Sequence, residues 1–557
     1  MSMNRWSRRE AVTALGLSGV AAALPSPAAA AADNEIFRHG IASGDPDQTS
    51  LILWTRVEPA GEREEVEWEL ASDSAFASVV KSGKAVTSAD QDFTVKILVE
   101  GLKPGTRYHY RFRARGMTSP AGRTMTLADG AMDKLGIALV SCSNFPFGYF
   151  NAYDAISKDP LVDIVLHTGD YIYEYGGADG WGHETGLKLG REHQPAHEIV
   201  SLSDYRTRHA QYRTDAGLQA MTAAHPLVAC WDDHESANNP WIGGAQNHQS
   251  DKEGSWLARR AASIRAYYEW MPVREPGMGR NRAEFWRSYR FGNLATLVTL
   301  ETRHTARAEQ IDYMHYADKI ASKEDAAKLR DDVIGAPDRP MLSAAMEDFL
   351  AAELTQSVKA GQPWRVIGNA IPMARMPVPD LLGAGLLPDP SDKDLPFATR
   401  ALAWKAMWNL PFYTDTWDGY PWARERFYDL CKKAGARDLI VLTGDSHSFW
   451  ANQLADGTGK PMGIELGTAG VSSPGDFLES GFEPKLAAKL DKAFADMLPE
   501  VLWTDNFHQG YVRLDLRPDA AQANFIGMST VTSQRYKPLS LRRYAIARQD
   551  GEVHLRG

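Results

Sequence analysis

The sequence predicts an α/β body behind an all-β amino-terminal domain. At 557 residues the chain is longer than one hydrophobic core usually serves, so at least two domains are expected. Residues 36–127 carry short apolar or alternating runs broken by Gly, Pro and Asp, the pattern of a β-sandwich. After Ala128, apolar strand-like runs alternate with longer helical patterns, the texture of an α/β fold.

Taken in order, the first element is a leader at 1–32. Arg5, Arg8 and Arg9 precede a weakly apolar run from Ala11 to Leu24, followed by Ala-rich residues ending near Ala32. That run falls short of the roughly 20 residues that span a bilayer, and no later stretch is long and uncharged enough to do so. Ser7-Arg8-Arg9-Glu10-Ala11-Val12 resembles a twin-arginine signal, which implies the twin-arginine export machinery and a periplasmic or secreted destination; ordinary secretion is the alternative. Removing residues 1–30 deletes three arginines and one glutamate and takes the formal charge from −10 to −12. The mature chain is expected to be soluble and monomeric.

Next comes an immunoglobulin-like sandwich at 33–128, with runs such as Leu51-Ile52-Leu53-Trp54 and Phe93 to Val99. Within it, Gly101 to Phe112 looks like the opening of a fibronectin type III strand, where a tyrosine can close a corner. The α/β body, 129–557, begins with Leu135 to Val140 and continues through Asp163 to His167, Leu227 to Trp231, Ala295 to Leu300, Val366 to Ile371 and Asp438 to Thr443. Several of these runs are apolar almost throughout, as strands buried on both faces are, and each ends in polar or glycine-containing sequence, where ligand sites form. Tyr511 to Leu516 alternates like an edge or antiparallel strand. The basic, polar segment from Ser540 to Gly557 reads as a tail or a lid, and Ser322 to Pro340 shows no readable pattern.

Composition narrows the function. Apolar residues at 44% and charged residues at 24% are ordinary for a globular protein. A net charge of −10 argues against a nucleic-acid-binding surface, which needs clustered Lys and Arg. Cys142, Cys230 and Cys431 are too few for a disulfide framework.

Four clusters carry candidate chemistry, each after a strand-like run. Ser141-Cys142-Ser143-Asn144 offers a thiol that is a nucleophile, a metal ligand or a small buried hydrophobe. Gly169-Asp170-Tyr171-Ile172-Tyr173 presents Asp170 as a bridging ligand or a helix cap, with Tyr173 three residues on. Asp232, Asp233, His234 and Glu235 are costly to crowd together unless a cation offsets their repulsion and desolvation, and a solvated loop is the alternative. The following Asn238-Asn239-Pro240-Trp241 supplies neutral oxygen donors suited to a hard cation. In Gly444-Asp445-Ser446-His447-Ser448, Asp445 and His447 are two apart, so extended backbone would project both from one face to bind metal or protonate a leaving group. Mixed oxygen donors plus one thiolate fit two unlike metals better than one zinc. Two adjacent cations would clamp phosphate oxygens and lower the pKa of a bound water to roughly 7.

These four segments, together with Phe37-Arg38-His39-Gly40-Ile41-Ala42-Ser43-Gly44-Asp45-Pro46, Ile52 to Val57 and Trp417-Asp418-Gly419-Tyr420, resemble in order the PhoD-type alkaline phosphatase and phosphodiesterase family. The resemblance implies a metallophosphoesterase-like β-sandwich core flanked by helices. It implies Fe3+ and Ca2+ in one site, with Cys142, Asp170 and Tyr173 on the iron and Asp232, Asn239, Asp445 and His447 at the remaining ligand positions. Either Asp232 or Asp233 faces the metal. His234, Asp233 and His447 are the implied catalytic residues, acting on the phosphate or the leaving group. The implied reaction is hydrolysis of phosphate monoesters or diesters by a hydroxide or oxide between the metals, with residues 540–557 covering the mouth. The nearest alternative is a metal-dependent phospholipase D on the same scaffold. More distant ones are a cysteine hydrolase using Cys142 and a non-enzymatic surface binding protein.

Overall fold

The computed structural model describes residues 35–177 and 180–557; the leader at 1–32 lies outside the described residues. Two large sheets pack face to face. The first has ten strands, in the order 552–556, 538–549, 521–528, 510–516, 135–140, 164–167, 227–229, 41–44, 50–56 and 94–100. The second has seven, in the order 287–291, 295–299, 364–368, 439–443, 461–467, 449–455 and 501–505.

The central strands of both sheets are parallel: Leu135–Val140, Ile164–His167 and Leu227–Ala229 in one, Ala295–Thr299, Trp364–Gly368 and Leu439–Thr443 in the other. Their uninterrupted apolar runs are explained by burial on both faces. Ile137, Leu139, Ile164 and Leu166 meet Leu297, Val366, Ile440 and Leu442 between the sheets. Each such aliphatic side chain contributes on the order of 1.5–3 kcal/mol through burial. On the outer face of the ten-stranded sheet, Val140 and Val165 pack under the helices Asn151–Ser157, Leu202–Tyr212, Ala216–Ala224 and Trp256–Trp270. The seven-stranded sheet is covered by Ala344–Lys359, Phe397–Trp408, Pro421–Lys433 and Pro484–Met497. The result is a sandwich flanked by helices on both sides.

The amino-terminal region departs from the independent sandwich expected from sequence. A five-stranded sheet centred on Arg63–Ala71 and Arg107–Ala114 does pack, through Val66, Leu70, Tyr110 and Phe112, on Leu51, Leu53, Val95 and Val99 of a facing layer. That layer, however, belongs to the ten-stranded sheet: Ile41–Gly44 pairs in parallel with the body strand Leu227–Ala229. The phenol of Tyr108 accepts the Lys103 N–H at 3.1 Å, which closes the corner anticipated there.

The final segment is also corrected. Residues 540–557 are not a lid: Pro538–Gln549 and Glu552–Arg556 are edge strands of the ten-stranded sheet, with Tyr544, Ile546 and Val553 buried in the central core. Asp550 and Gly551, with φ of 54° and 79°, form the two-residue turn between them. No helix among the described residues is long and apolar enough to cross a membrane.

Candidate metal centre

Because the two parallel sets run the same way, the carboxyl ends of six strands face one region. Three loops of the ten-stranded sheet deliver Cys142, Asp170 and the Asp232–Glu235 run, and the loop after Leu439–Thr443 delivers Asp445 and His447 from the other sheet. Two glycines allow this approach. A Cβ on Gly169, whose φ is +104°, would lie 2.3 Å from the Asp232 Cβ, and one on Gly444 would lie 2.3 Å from Ser141 Oγ. Each Gly-Asp pair therefore lets one strand end close on another.

The loops are stitched together by hydrogen bonds. Cys142 N–H donates to Gly169 O at 3.2 Å and Ser143 N–H to Asp170 O at 3.0 Å. The Glu235 carboxylate accepts Tyr171 N–H at 2.7 Å and Asp232 N–H at 2.9 Å, joining the second and third clusters. Behind them, His167 Nδ1 accepts Gly169 N–H at 3.2 Å, which leaves its Nε2–H to donate to Tyr153 Oη at 2.7 Å. Burial lowers the pKa of His167 to about 3, so it is a neutral strut.

Backbone strain marks the same residues. Cys142, Asp170, Asn239, Asp445 and His447 all have φ between 49° and 66°, a region that non-glycine residues occupy only when their surroundings hold them there. This replaces the reason given by sequence for Asp445 and His447: the segment is not extended, and two left-handed residues turn both side chains inward.

Ligand atoms of Cys142, Asp170 and His447 lie within 4.8 Å of one another, as do those of Asp170, Asp233 and His234, and those of Asp232, Asp233 and Asp445. Asp170 and Asp233 each belong to two of these groups. Tyr173 Oη is 3.1 Å from Asp170 Oδ2 and 3.3 Å from His447 Nε2. Asn239 is half-buried; its N–H donates to Asp233 Oδ2 at 2.9 Å and its side-chain amide to Gln246 at 2.8 Å.

The electrostatics fit a cation. Burial, and then the neighbouring carboxylates, push the Asp170 and Asp445 carboxyls and the Cys142 thiol well above their ordinary ranges. Burial likewise pushes up the Tyr173 phenol, with Asp170 and Cys142 adding to it. Asp232 Oδ2 and Asp233 Oδ1, both buried, have no hydrogen-bond partner among the described residues. Hard oxygen donors, a thiol, a phenol and an imidazole gathered this way are held apart by repulsion that bound positive charge removes.

With this geometry in view, a family model described as PhoD-like phosphatase matches residues 137–525. The chain belongs to the PhoD-like phosphatase family. A second model, for the amino-terminal domain of PhoD-like phosphatases, matches residues 21–128. Alkaline phosphatase D of Bacillus subtilis (strain 168) is 33% identical over 514 residues, which cover 89% of this chain and 78% of that protein. A solved structure of PhoD superposes with a TM-score of 0.74 at 28% identity, covering 94% of this chain and 92% of the other. The chain is thus a hydrolase acting on phosphoric ester bonds.

Several residues of this candidate site were not singled out from sequence. Arg303 is fully buried, with Nε 2.5 Å from Asp232 Oδ1 and Nη2 3.2 Å from Asp445 Oδ1. Glu301-Thr302-Arg303-His304 follows the strand Ala295–Thr299 as the other clusters follow theirs, so the signal was present. Buried Glu174 accepts His234 Nδ1–H at 2.6 Å, Asn238 N–H at 2.7 Å and the Asn247 amide at 2.9 Å. His234, stacked on Tyr173 with centroids 4.3 Å apart, is held against rotation. Burial opposes its protonation, but Asp233 and Glu174 outweigh that and push its pKa well up. Glu174 is a positioning residue: Glu174→Gln is expected to lower kcat/KM about 10–100-fold, with the far-UV spectrum unchanged.

Proposed function

We propose that this chain hydrolyses phosphate monoesters and diesters at the strand-end cluster, with iron in its trivalent state and calcium as the resident ions. Cys142, Asp170 and Tyr173 would hold the iron, and Asp232, Asn239, Asp445 and His447 would fill the remaining ligand positions, with His447 on the side of Cys142 and Asp170. The observation carrying this reading is the convergence of Cys142, Asp170 and His447, which come from separate strands of two sheets, to within 4.8 Å. A phenolate beside a thiolate suits an oxidised iron, and carboxylate and amide oxygens suit calcium. When bound, such ions supply Lewis acidity toward phosphate oxygens and toward water.

The chain's own groups have separate tasks. His234, fixed by Glu174, is the donor that meets the phosphate or the departing oxygen. Asp233, whose carboxylate accepts the Asn239 N–H, belongs to two of the donor groups and would position the attacking water. Arg303 neutralises Asp232 and Asp445 from behind.

A nucleophilic Cys142 is disfavoured because the thiol is fully buried and burial raises its pKa. Chelation separates the routes. Dialysis against a strong chelator is expected to abolish turnover of a nitrophenyl phosphate ester, with recovery on restoring both ions; a cysteine mechanism predicts that activity survives.

A further inference from the structure

Beside the cluster lies a groove of about 740 Å3 that the hydrolytic chemistry does not use. Its apolar wall is built from Phe147, Trp181, Leu478 and Val531. Trp181 joins it to the site: its ring stacks on His447 with centroids 5.2 Å apart and planes 20° apart, and lies 5.5 Å from the Tyr173 ring. Phe147 meets Trp181 edge-on at 4.8 Å. On the same side Glu479 Oε2 is 3.6 Å from His447 Nδ1. Trp181 therefore links the groove to two candidate metal ligands, neither of which lines it.

Its size and charge restrict the occupant. The volume falls in the range of small-molecule pockets, well beyond what a phosphate group alone needs. Glu184 and Glu479 line it, and none of the lining side chains is a lysine or arginine. Like charge at close quarters disfavours an anionic guest, while aromatic faces favour apolar or aromatic ones.

Resting on the reading of the cluster as the site of ester cleavage, we infer that this groove binds the alcohol portion of the substrate and selects esters of uncharged aromatic or apolar alcohols over those with anionic leaving groups. Phe147 and Leu478 are the specificity-determining side chains, since both line the groove and neither belongs to the cluster.

The test compares three aryl esters with leaving groups of similar basicity, phenyl, 2-naphthyl and 4-carboxyphenyl phosphate, on the metal-loaded full chain. The naphthyl ester is expected to exceed the phenyl ester in kcat/KM by about tenfold, from the extra ring surface buried, and the carboxyphenyl ester to fall below both. Phe147→Ala and Leu478→Ala should each lower kcat/KM for the naphthyl ester several-fold more than for the phenyl ester, so that the naphthyl preference narrows. Equal efficiency on all three esters, or variants that lower phenyl and naphthyl turnover alike, would overturn the inference alone. No turnover of any ester would overturn the reading of the cluster, and this inference with it.

Discussion

Asp170→Asn is expected to abolish phosphate-ester hydrolysis while the chain stays folded. Asp170 shares one donor group with Cys142 and His447 and another with Asp233 and His234, so its carboxylate stands where two cations would meet. Asparagine keeps the shape but removes the charge. The loss of several kcal/mol of Lewis-acid stabilisation corresponds to a rate deficit on the order of 10³ or more. Stability should move the other way in metal-free protein, because burial and the neighbouring carboxylates already disfavour the ionised form of Asp170. Steady-state rates and thermal unfolding of stripped protein check both parts. A variant retaining a tenth of the parent kcat, or one that fails to fold, contradicts the assignment.

Arg303→Met produces the largest loss of stability expected from a single side chain in the site. Arg303 is fully buried, and burial works against its charge, but Asp232, Asp233 and Asp445 outweigh that and hold its proton firmly. Removing it leaves buried carboxylates uncompensated, a cost of about 3–5 kcal/mol. Bound cations offset the same repulsion, so the deficit should be large in chelated protein and small after metal is restored. Denaturant midpoints measured in both states report the difference. Equal losses with and without metal would show that the arginine acts through packing alone.

Much of this site was legible because buried parallel strands have a simple sequence form. Leu135–Val140 and Leu439–Thr443 are apolar on both faces, so the first polar residues after them mark the carboxyl ends where ligands gather. Gly169 and Gly444 announced close approach, although which backbone each one met could not be read along the chain. Arg303 escaped although Glu301 and His304 flank it after a strand, because an arginine there is ordinary until its partners, well over a hundred residues away for Asp445, are known. The stretch from Ser322 to Pro340, where no pattern was read, does carry one start signal that was missed: Ser322 caps the helix Lys323–Lys328, its Oγ accepting the Asp325 N–H at 3.1 Å. The carboxy-terminal strands were hidden by their half-exposed face, where arginines interrupt the apolar alternation, though Asp550-Gly551 carried the turn signal. In the amino-terminal region the runs Leu51–Trp54 and Phe93–Val99 were readable as strands. That this region shares a sheet with the body was not readable, because one parallel pairing at Gly44 leaves no periodic trace.

The central claim is that strand ends from two sheets enclose adjoining cations, and elemental analysis of the full chain, purified without added metal and assayed in parallel, tests it most directly. Iron and calcium should both be retained in fixed proportion to the chain, with iron lost and activity gone in the Asp170→Asn variant. A parent chain that carries neither ion and still hydrolyses phosphate esters would contradict the account.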